Sequence, residues 1–244
     1  VIDLSNKKLV QKFIKDNKIR LVIHCAFEGT KRNEDVSSVY NNLLIFENLC
    51  SMVPHIKLIN IGSGAELDIS KNVSFATPEK VLRLIPTDYY GFSKNLIAKK
   101  IILSNNPNLI NIRLFGCFYY NEWDKRFIKQ SITNIQNKLS IQINKNKYMD
   151  FIYMKDLVKL IEFIINNNVK ITDINAVYKK KISLVDIANI ILKHAHCKVD
   201  IKILSGDMSN SYTGMPMPNE IGESMSFMGI ENGIKETYNL LCTQ

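Results

Sequence analysis

Tyr90 and Lys94 stand four residues apart in the segment of residues 88–100. If this segment is helical, both side chains lie on one face of the helix. A cation held beside a phenol favours the phenolate, so a tyrosine in such a pair can exchange a proton near neutral pH. The same spacing also fits a half-buried tyrosine and a solvated lysine. The catalytic interpretation therefore needs a serine at a neighbouring strand end and a sheet that surrounds both.

The elements around this segment predict such a sheet. Short apolar segments at residues 19–25, 56–62 and 109–115 alternate with amphipathic segments at 36–50 and 88–104. Residues 1–4 are interpreted as the end of an earlier strand, followed by a helix that Ser5 caps. This alternation predicts an α/β fold with a Rossmann-like, doubly wound parallel sheet. Ligands of such sheets bind beyond the carboxyl ends of the strands, where Ser63 lies.

The pattern becomes less regular after Gly116. We expect a helix at residues 123–137, a short strand at 139–143, a helix at 155–166 and a closing helix at 229–241. Ser183 and Asp186 have the spacing of a capping box. The expected organisation is a dinucleotide-binding domain at residues 1–118 and 154–178. A smaller C-terminal α/β substrate lobe is expected at residues 119–153 and 179–244.

Composition narrows the class of protein. The 244 residues are 46% hydrophobic and carry a net charge of +9, but the lysines are spread along the chain, so no nucleic-acid partner is expected. No apolar run approaches the roughly 20 residues that cross a bilayer, and no signal peptide is visible, so no membrane partner is expected. Five scattered cysteines fit a reducing, cytoplasmic setting. The tract 194–197, with two histidines and a cysteine, is interpreted as a helix end, so no metal site is expected.

Several motifs, taken in order, resemble the extended short-chain dehydrogenase/reductase family, in its sugar-nucleotide epimerase/dehydratase branch. Tyr90-Gly91-Phe92-Ser93-Lys94 is similar to the Tyr-x-x-x-Lys motif of that family, and Ser63 falls at its strand-end Ser/Thr. The likeness extends through nearly the whole chain. The further matching segments are Asp3-Leu4, Ile23-His24-Cys25-Ala26, Asn42, Arg113-Leu114-Phe115-Gly116, Asp150-Phe151-Ile152-Tyr153-Met154-Lys155-Asp156 and residues 229–237.

The resemblance implies roles for these residues. Tyr90 would deliver a proton, Ser63 would orient the reacting oxygen, Lys94 would hold the cofactor ribose, and Asn42 would support a water that links Lys94 to solvent. The implied cofactor is NADP or NAD, and the implied partners are a nucleotide-sugar substrate and a second copy of the chain, paired through residues 36–50 and 88–104. The cofactor-binding residues would be Asp3, Leu4, His24, Cys25, Ala26, Ile61, Tyr90, Lys94, Phe115, Gly116 and Cys117. The substrate-binding residues would be Glu28, Gly64, Ala65, Arg126, Lys129 and Lys145.

The sequence also departs from the family pattern. A Gly-x-x-Gly-x-x-Gly turn that cradles the pyrophosphate is expected upstream of Val1. Either the chain lacks its amino-terminal unit, or it is a truncated relative with impaired dinucleotide binding. We favour the first, because a parallel sheet without its central strand leaves backbone groups unpaired.

Other departures bear on the reaction. Gly64-Ala65 follows Ser63, where family 4,6-dehydratases carry Asp-Glu, so water elimination is disfavoured. Double epimerisation is disfavoured because Ala65 and Arg126 replace the cysteine and histidine of the fucose-synthase type. The resulting prediction is a sugar-nucleotide 4-ketoreductase that transfers hydride from NAD(P)H to a 4-keto sugar nucleotide. The alternatives are an NAD-dependent NDP-sugar 4-epimerase and a non-catalytic relative.

Overall fold

A computed structural model describes residues 2–28, 36–167, 170–206 and 208–243. The chain divides into two compact units. The first, called here the sheet unit, comprises Val1–Lys71, Ala76–Leu114 and Asn168–Asn175. The second unit comprises Asn72–Phe75, Phe115–Asn167 and Ala176–Gln244.

The helices and strands follow one another through both units. In chain order they are α1 (Lys7–Asp16), β1 (Leu21–His24), α2 (Val36–Cys50), β2 (Lys57–Ser63), β3 (Val73–Ala76), α3 (Tyr89–Ser104), β4 (Leu109–Leu114), β5 (Cys117–Phe118), α4 (Phe127–Gln136), β6 (Ile141–Lys145), β7 (Ile152–Tyr153), α5 (Met154–Asn166), β8 (Asp173–Asn175), α6 (Leu184–Ala195), β9 (Ile201–Ser205), β10 (Tyr212–Gly214), α7 (Asn219–Gly222) and α8 (Gly229–Cys242). Two 3-10 helices, Gly64–Leu67 and Pro78–Arg83, precede α3.

The sheet unit contains a four-stranded sheet in the order β1-β2-β4-β8. All its pairings are parallel. The central strands β2 and β4 are mostly buried and rich in leucine and isoleucine, as expected for a parallel sheet covered on both faces. Val10 of α1, Phe46 of α2 and Ile101 of α3 pack with Leu58 of β2 in one core. The predicted Rossmann-like α/β fold is confirmed.

The second unit has its own core. Ile128, Ile132 and Ile135 of α4 are buried there, as their spacing predicts, together with residues of α6 and α8. Strands β6 and β9 pair in parallel, and two further two-stranded pairs are β5 with β7 and β3 with β10. The predicted capping box at the start of α6 is present, because Ser183 accepts from the Asp186 N–H and Asp186 accepts from the Ser183 N–H. In the described part of the chain, every helix is too short or too polar to span a bilayer.

Four expectations were wrong or displaced. Residues 2–4 form no strand; Asp3 accepts hydrogen bonds from the main chain and hydroxyl of Ser5, which makes a turn, while Val1 lies outside the described residues. The cap of α1 is Asn6 rather than Ser5. Helix α4 begins at Phe127, because Arg126 before it has an extended backbone. Residues 154–167, which the sequence-based division placed with the sheet, lie in the second unit.

Candidate active site

The start of helix α3 carries the tyrosine-lysine pair. Asp88 caps this helix, since its carboxylate accepts a hydrogen bond from the Gly91 N–H at 2.8 Å. The ring of Phe27 lies 4.8 Å from the ring of Tyr90, and the Lys94 ammonium lies 5.4 Å from the same Phe27 ring. Tyr90 and Lys94 therefore share one face of the helix and one aromatic neighbour, as their spacing predicts.

Lys94 is nearly buried, with an exposed fraction of 5%. Its Nζ donates a hydrogen bond to the main-chain oxygen of Ile61 at 2.9 Å, which fixes the ammonium beside the end of strand β2. Burial lowers the pKa of Lys94, and the charges of Glu66 and Cys25 oppose this shift. Lys94 thus carries a poorly solvated positive charge at the carboxyl ends of β1 and β2.

Ser63 is the last residue of β2 and caps the 3-10 helix Gly64–Leu67. Its Oγ accepts a hydrogen bond from the Ala65 N–H at 3.2 Å, and its own N–H donates to Glu66 Oε1 at 2.8 Å. The side chain is half-buried. The hydroxyl proton of Ser63 is not used in these two bonds, so it can serve a ligand.

Gly91 brings helix α3 directly against this turn. A Cβ added at Gly91 would lie 2.7 Å from the main-chain oxygen of Ala65, which is closer than side-chain carbons come to backbone. Only glycine permits this approach of the residue next to Tyr90 to the residues that follow Ser63. The helix that carries the phenol and the turn that begins with the serine are therefore in direct contact.

The end of β1 lies beside Lys94. His24 is buried, and its Nδ1 has no hydrogen-bond partner within the described residues. Burial, with a smaller effect of the Lys94 charge, lowers the pKa of His24 to about 4, so the ring is neutral at pH 7. Cys25 and Ala26, which follow, are exposed. Burial of its sulfur raises the pKa of Cys25, and Lys94 opposes that shift.

Asn42 of helix α2 holds the loop after β1. Its Oδ1 accepts from the Glu28 N–H at 2.8 Å, and its Nδ2 donates to the main-chain oxygens of Glu28 and Ser38 at 2.9 and 2.7 Å. The side chain of Glu28 is exposed. Asn42 thus fixes the loop that carries Phe27, and the proton-relay role implied by the resemblance stays a prediction.

Four further predicted site residues lie in the sheet unit, the cofactor residues Asp3 and Leu4 near its start and the substrate residues Gly64 and Ala65 after β2. Asp3 is bound to Ser5, which lowers the pKa of the Asp3 carboxyl. The main-chain oxygen of Leu4 accepts from Asn48 Nδ2 at 2.9 Å. Gly64 and Ala65 are buried in the turn after Ser63. Their assignment to cofactor or substrate stays a prediction.

Six of the predicted residues belong to the second unit. Phe115 packs edge-on against Tyr212, Gly116 lies against the ring of Phe151, and burial raises the pKa of the Cys117 thiol to about 12. The remaining three are the predicted phosphate-binding cations. Arg126 is an exposed N-cap residue, Lys129 is engaged by the Glu122 main-chain oxygen and Asp124, and Lys145 lines a cavity of about 650 Å³.

Sequence reasoning missed Phe27 and the surroundings of Glu66. Phe27 follows the strand-end segment His24-Cys25-Ala26 by one residue, and that position is the signal that could have identified it. Glu66 and Arg113 are both fully buried and paired at 2.7 Å. An arginine inside a strand made mostly of leucine and isoleucine was the available signal, because a buried arginine requires a counter-charge.

The donor set suits the nicotinamide-ribose end of a dinucleotide. Within the described residues, Lys94 uses one of its three N–H donors in a hydrogen bond, to Ile61. Ribose hydroxyls accept from such an ammonium, and a carbonyl oxygen can accept from the hydroxyls of Ser63 and a tyrosine. The residues that are present therefore fit this group.

A parallel sheet with a serine at a strand end, next to a helix that carries a tyrosine and a buried lysine, is typical of dinucleotide-dependent α/β enzymes. A sequence model of the NAD dependent epimerase/dehydratase family matches residues 1–176. The chain belongs to that family. No curated protein matches its sequence.

Solved structures share the fold at low sequence identity. The dTDP-glucose 4,6-dehydratase of Bacillus anthracis, in complex with NAD, is 17% identical with a TM-score of 0.79, over 100% of this chain and 79% of that chain. The UDP-N-acetylglucosamine 4-epimerase of Bacillus cereus is 18% identical with a TM-score of 0.77, over 99% and 86%. The GDP-mannoheptose C4 reductase of Campylobacter jejuni, with NADP bound, is 17% identical with a TM-score of 0.73, over 100% and 87%.

Proposed function

We propose that the chain is a sugar-nucleotide 4-ketoreductase that uses NADPH or NADH. The observation that carries the proposal is the placement of Lys94 between the Phe27 ring, which also packs on Tyr90, and the Ile61 oxygen, two residues before Ser63. A phenol and an ammonium on one helix face, with a hydroxyl at the strand end beside that helix, are the groups that can protonate and orient a carbonyl oxygen during its reduction.

Each residue has a separate task in this reaction. Tyr90 gives its proton to the carbonyl oxygen of the substrate, and Ser63 donates a hydrogen bond that orients that oxygen. Lys94 holds the ribose hydroxyls, and its charge favours the phenolate left on Tyr90 after proton transfer. The nicotinamide, when bound, supplies the hydride. Asn42 keeps the Phe27 loop in place while these groups act.

The hydrogen bonds of Glu66, the first carboxylate after Ser63, favour reduction over dehydration. Elimination of a sugar hydroxyl needs an acid and a base beside the serine, but Gly64 and Ala65 follow Ser63 directly. Glu66 comes next, and its two oxygens are bound by the Ser63 N–H and by Arg113 in the interior. No carboxylate of the turn Gly64–Leu67 remains for the leaving group.

The second unit supplies a cavity with the charge of a phosphate site. Lys145 lines it together with Lys125 and Lys147, and its other lining residues include amides, two serines and Phe127. Among the described residues the lining contains no carboxylate, which suits an anionic diphosphate. Of the three predicted cations, Lys145 lines this cavity, so it is kept as the proposed diphosphate ligand. Lys129 is disfavoured, because its ammonium is already bound.

The test is an assay of the full chain with NADPH and a 4-keto sugar nucleotide. Net oxidation of NADPH supports the reductase, whereas interconversion of two sugars with retained NAD supports the 4-epimerase instead. Tyr90→Phe is expected to lower turnover by about 100-fold or more while the dinucleotide affinity stays unchanged. Tyr89→Phe on the same helix is the matched control and should retain turnover. A Tyr90→Phe variant with full activity would exclude Tyr90 as the proton donor.

A further inference from the structure

Glu66 holds the main chain of Ser63 in place. The Ser63 N–H donates to Glu66 Oε1 at 2.8 Å, while the Ser63 Oγ accepts from the Ala65 N–H. A Cβ added at Gly62 would lie 2.4 Å from the same Glu66 oxygen, so the carboxylate packs directly against the last residues of strand β2. The orientation of the Ser63 side chain therefore depends on where this carboxylate sits.

Arg113 fixes the second oxygen of that carboxylate. Its Nε donates to Glu66 Oε2 at 2.7 Å, and its two terminal nitrogens donate to Asn175 Oδ1 at 2.9 Å and Asp173 Oδ2 at 2.7 Å. Arg113 lies on β4, and its two other partners lie on β8. Asn95 of α3 also holds the Glu66 main-chain oxygen at 2.8 Å. The serine end of β2 is thus tied to the neighbouring strand β4, through Arg113 to strand β8 beyond it, and to the helix of Tyr90.

The charges of Glu66 and Asp173 keep Arg113 charged inside this cluster. Burial disfavours the charged form of Arg113, but Glu66 and Asp173 outweigh it and raise the pKa of Arg113. The guanidinium therefore stays charged at every working pH. A buried ion pair is often no more stabilising than apolar side chains of the same volume, so stability alone is a weak reason for its presence. Fixed geometry at a strand end is a stronger reason, because a hydrogen-bonded pair has one orientation.

We propose that Glu66, held by Arg113, is a positioning residue that aims the Ser63 hydroxyl at the reacting oxygen. The inference rests on the proposed function, since it gives Ser63 a carbonyl oxygen to orient. Glu66 is fully buried, so it acts through Ser63 and does not touch the substrate.

The kinetic test compares Glu66→Gln with Asp173→Asn. Both variants replace one carboxylate partner of Arg113 by an amide of the same shape, but Asp173 makes no hydrogen bond to Ser63 within the described residues. Glutamine cannot accept on both of its polar atoms, so it loses either the Ser63 bond or the Arg113 bond. We expect Glu66→Gln to lower kcat about tenfold or more with KM changed by less than about twofold, and Asp173→Asn to keep kcat within about threefold.

A double-mutant cycle separates positioning from general stability. In a Ser63→Ala background, Glu66→Gln should lower kcat by less than about twofold, because the group that it positions is gone. An equal loss in both backgrounds, or an equal loss from Asp173→Asn, would overturn the proposal. If Glu66→Gln does not fold, Glu66→Asp keeps the charge for Arg113 but draws the carboxylate back from the Ser63 N–H. That variant is expected to fold and to lose kcat in the same way.

A second readout does not depend on activity. Hydrogen exchange of the Ser63 amide, followed by NMR, should become at least about tenfold faster in Glu66→Asp, which draws the carboxylate back from the Ser63 N–H, while the Ile59 amide in the middle of β2 keeps its protection. Unchanged exchange at Ser63 would overturn the proposal even in an active enzyme. If no sugar nucleotide is turned over by the wild type, the proposed function fails, and the exchange rates still decide whether Glu66 holds Ser63.

Discussion

The ammonium of Lys94 is bound to the main-chain oxygen of Ile61 at 2.9 Å, so a helix side chain is anchored to the strand that ends in Ser63. This bond links two segments that are 33 residues apart in sequence. It also leaves the tip of Lys94 beside the ring of Phe27, which packs on Tyr90. The pair of residues 61 and 94 is therefore the link between the serine strand and the tyrosine helix.

Replacement of this lysine tests the link. Lys94→Met keeps an apolar stem of similar length but removes the charge and the bond to Ile61. We expect turnover to fall by about 100-fold or more and the dinucleotide affinity to fall as well, since both the phenolate and the ribose lose their cation. Steady-state kinetics and dinucleotide titration measure the two effects.

Lys99→Met is the control for that change. Lys99 lies on the same helix and also donates to a main-chain oxygen, that of Leu84 at 2.8 Å. It should cost stability without loss of turnover. Equal kinetic losses from both variants would mean that Lys94 acts only as a structural residue.

Asn42 is predicted to stabilise the loop after β1. Asn42→Ala removes three hydrogen bonds to the main chain, two part-buried ones to Glu28 and a buried one to Ser38, so the free energy of unfolding should fall by about 1–3 kcal/mol. Urea unfolding measures the change. Asn41→Ala, which removes a single bond to the exposed Glu28 carboxylate, should change it by less than about 0.5 kcal/mol. Similar losses from the two variants would contradict the loop-clamp interpretation.

His24 is predicted to make the fold sensitive to acid. Its pKa is lowered to about 4 by burial, whereas the unfolded histidine titrates near its ordinary 6.5. The unfolded state therefore binds a proton first, and stability is lost as the pH falls from 6.5 to 4, by on the order of 3 kcal/mol in total. Unfolding free energies of wild type and His24→Gln should converge or cross over this range.

The exposed His55 provides the comparison for His24. His55→Gln is the control for the replacement of a surface imidazole, and its unfolding free energy at pH 7 should stay within about 0.5 kcal/mol of wild type. The interpretation is wrong if His24→Gln and wild type lose stability in parallel between pH 6.5 and 4.

Gly62→Ala tests how tightly the carboxylate packs on β2. The new Cβ would meet Glu66 Oε1 at 2.4 Å and Asn111 Oδ1 at 2.5 Å, which are held by a part-buried and a buried hydrogen bond respectively. We expect a loss of about 1–3 kcal/mol in unfolding free energy. Gly206→Ala is the control, since its Cβ would meet no atom within 4 Å in the described structure. It should leave the unfolding free energy unchanged. Thermal melts of both variants measure the difference. A neutral Gly62→Ala would show that Glu66 can move away freely.

The sequence predicted the elements that have a clear period or an end signal. Residues 36–50 and α3 are helical as expected, and the four-residue spacing of Tyr90 and Lys94 does place both on Phe27. Strands β2 and β4 were recognisable because a buried parallel strand is rich in apolar residues. Strand β1 was recognisable by its apolar residues, although at the edge of the sheet only His24 of this strand is buried. Short elements such as β9 and β10 escaped notice, since their pairing partners lie far away in sequence.

The sequence by itself determined the parallel sheet, the family and the tyrosine-lysine helix, because each depends on local periodicity or on the order of short motifs. Only the tertiary structure decided that Lys94 binds Ile61, that Phe27 packs on Tyr90, and that Glu66 faces Arg113 and not a ligand. Those contacts join residues between 33 and 63 positions apart. These contacts depend on burial and on charge pairing between segments that are distant in sequence. The residue spacing within one segment therefore could not predict them.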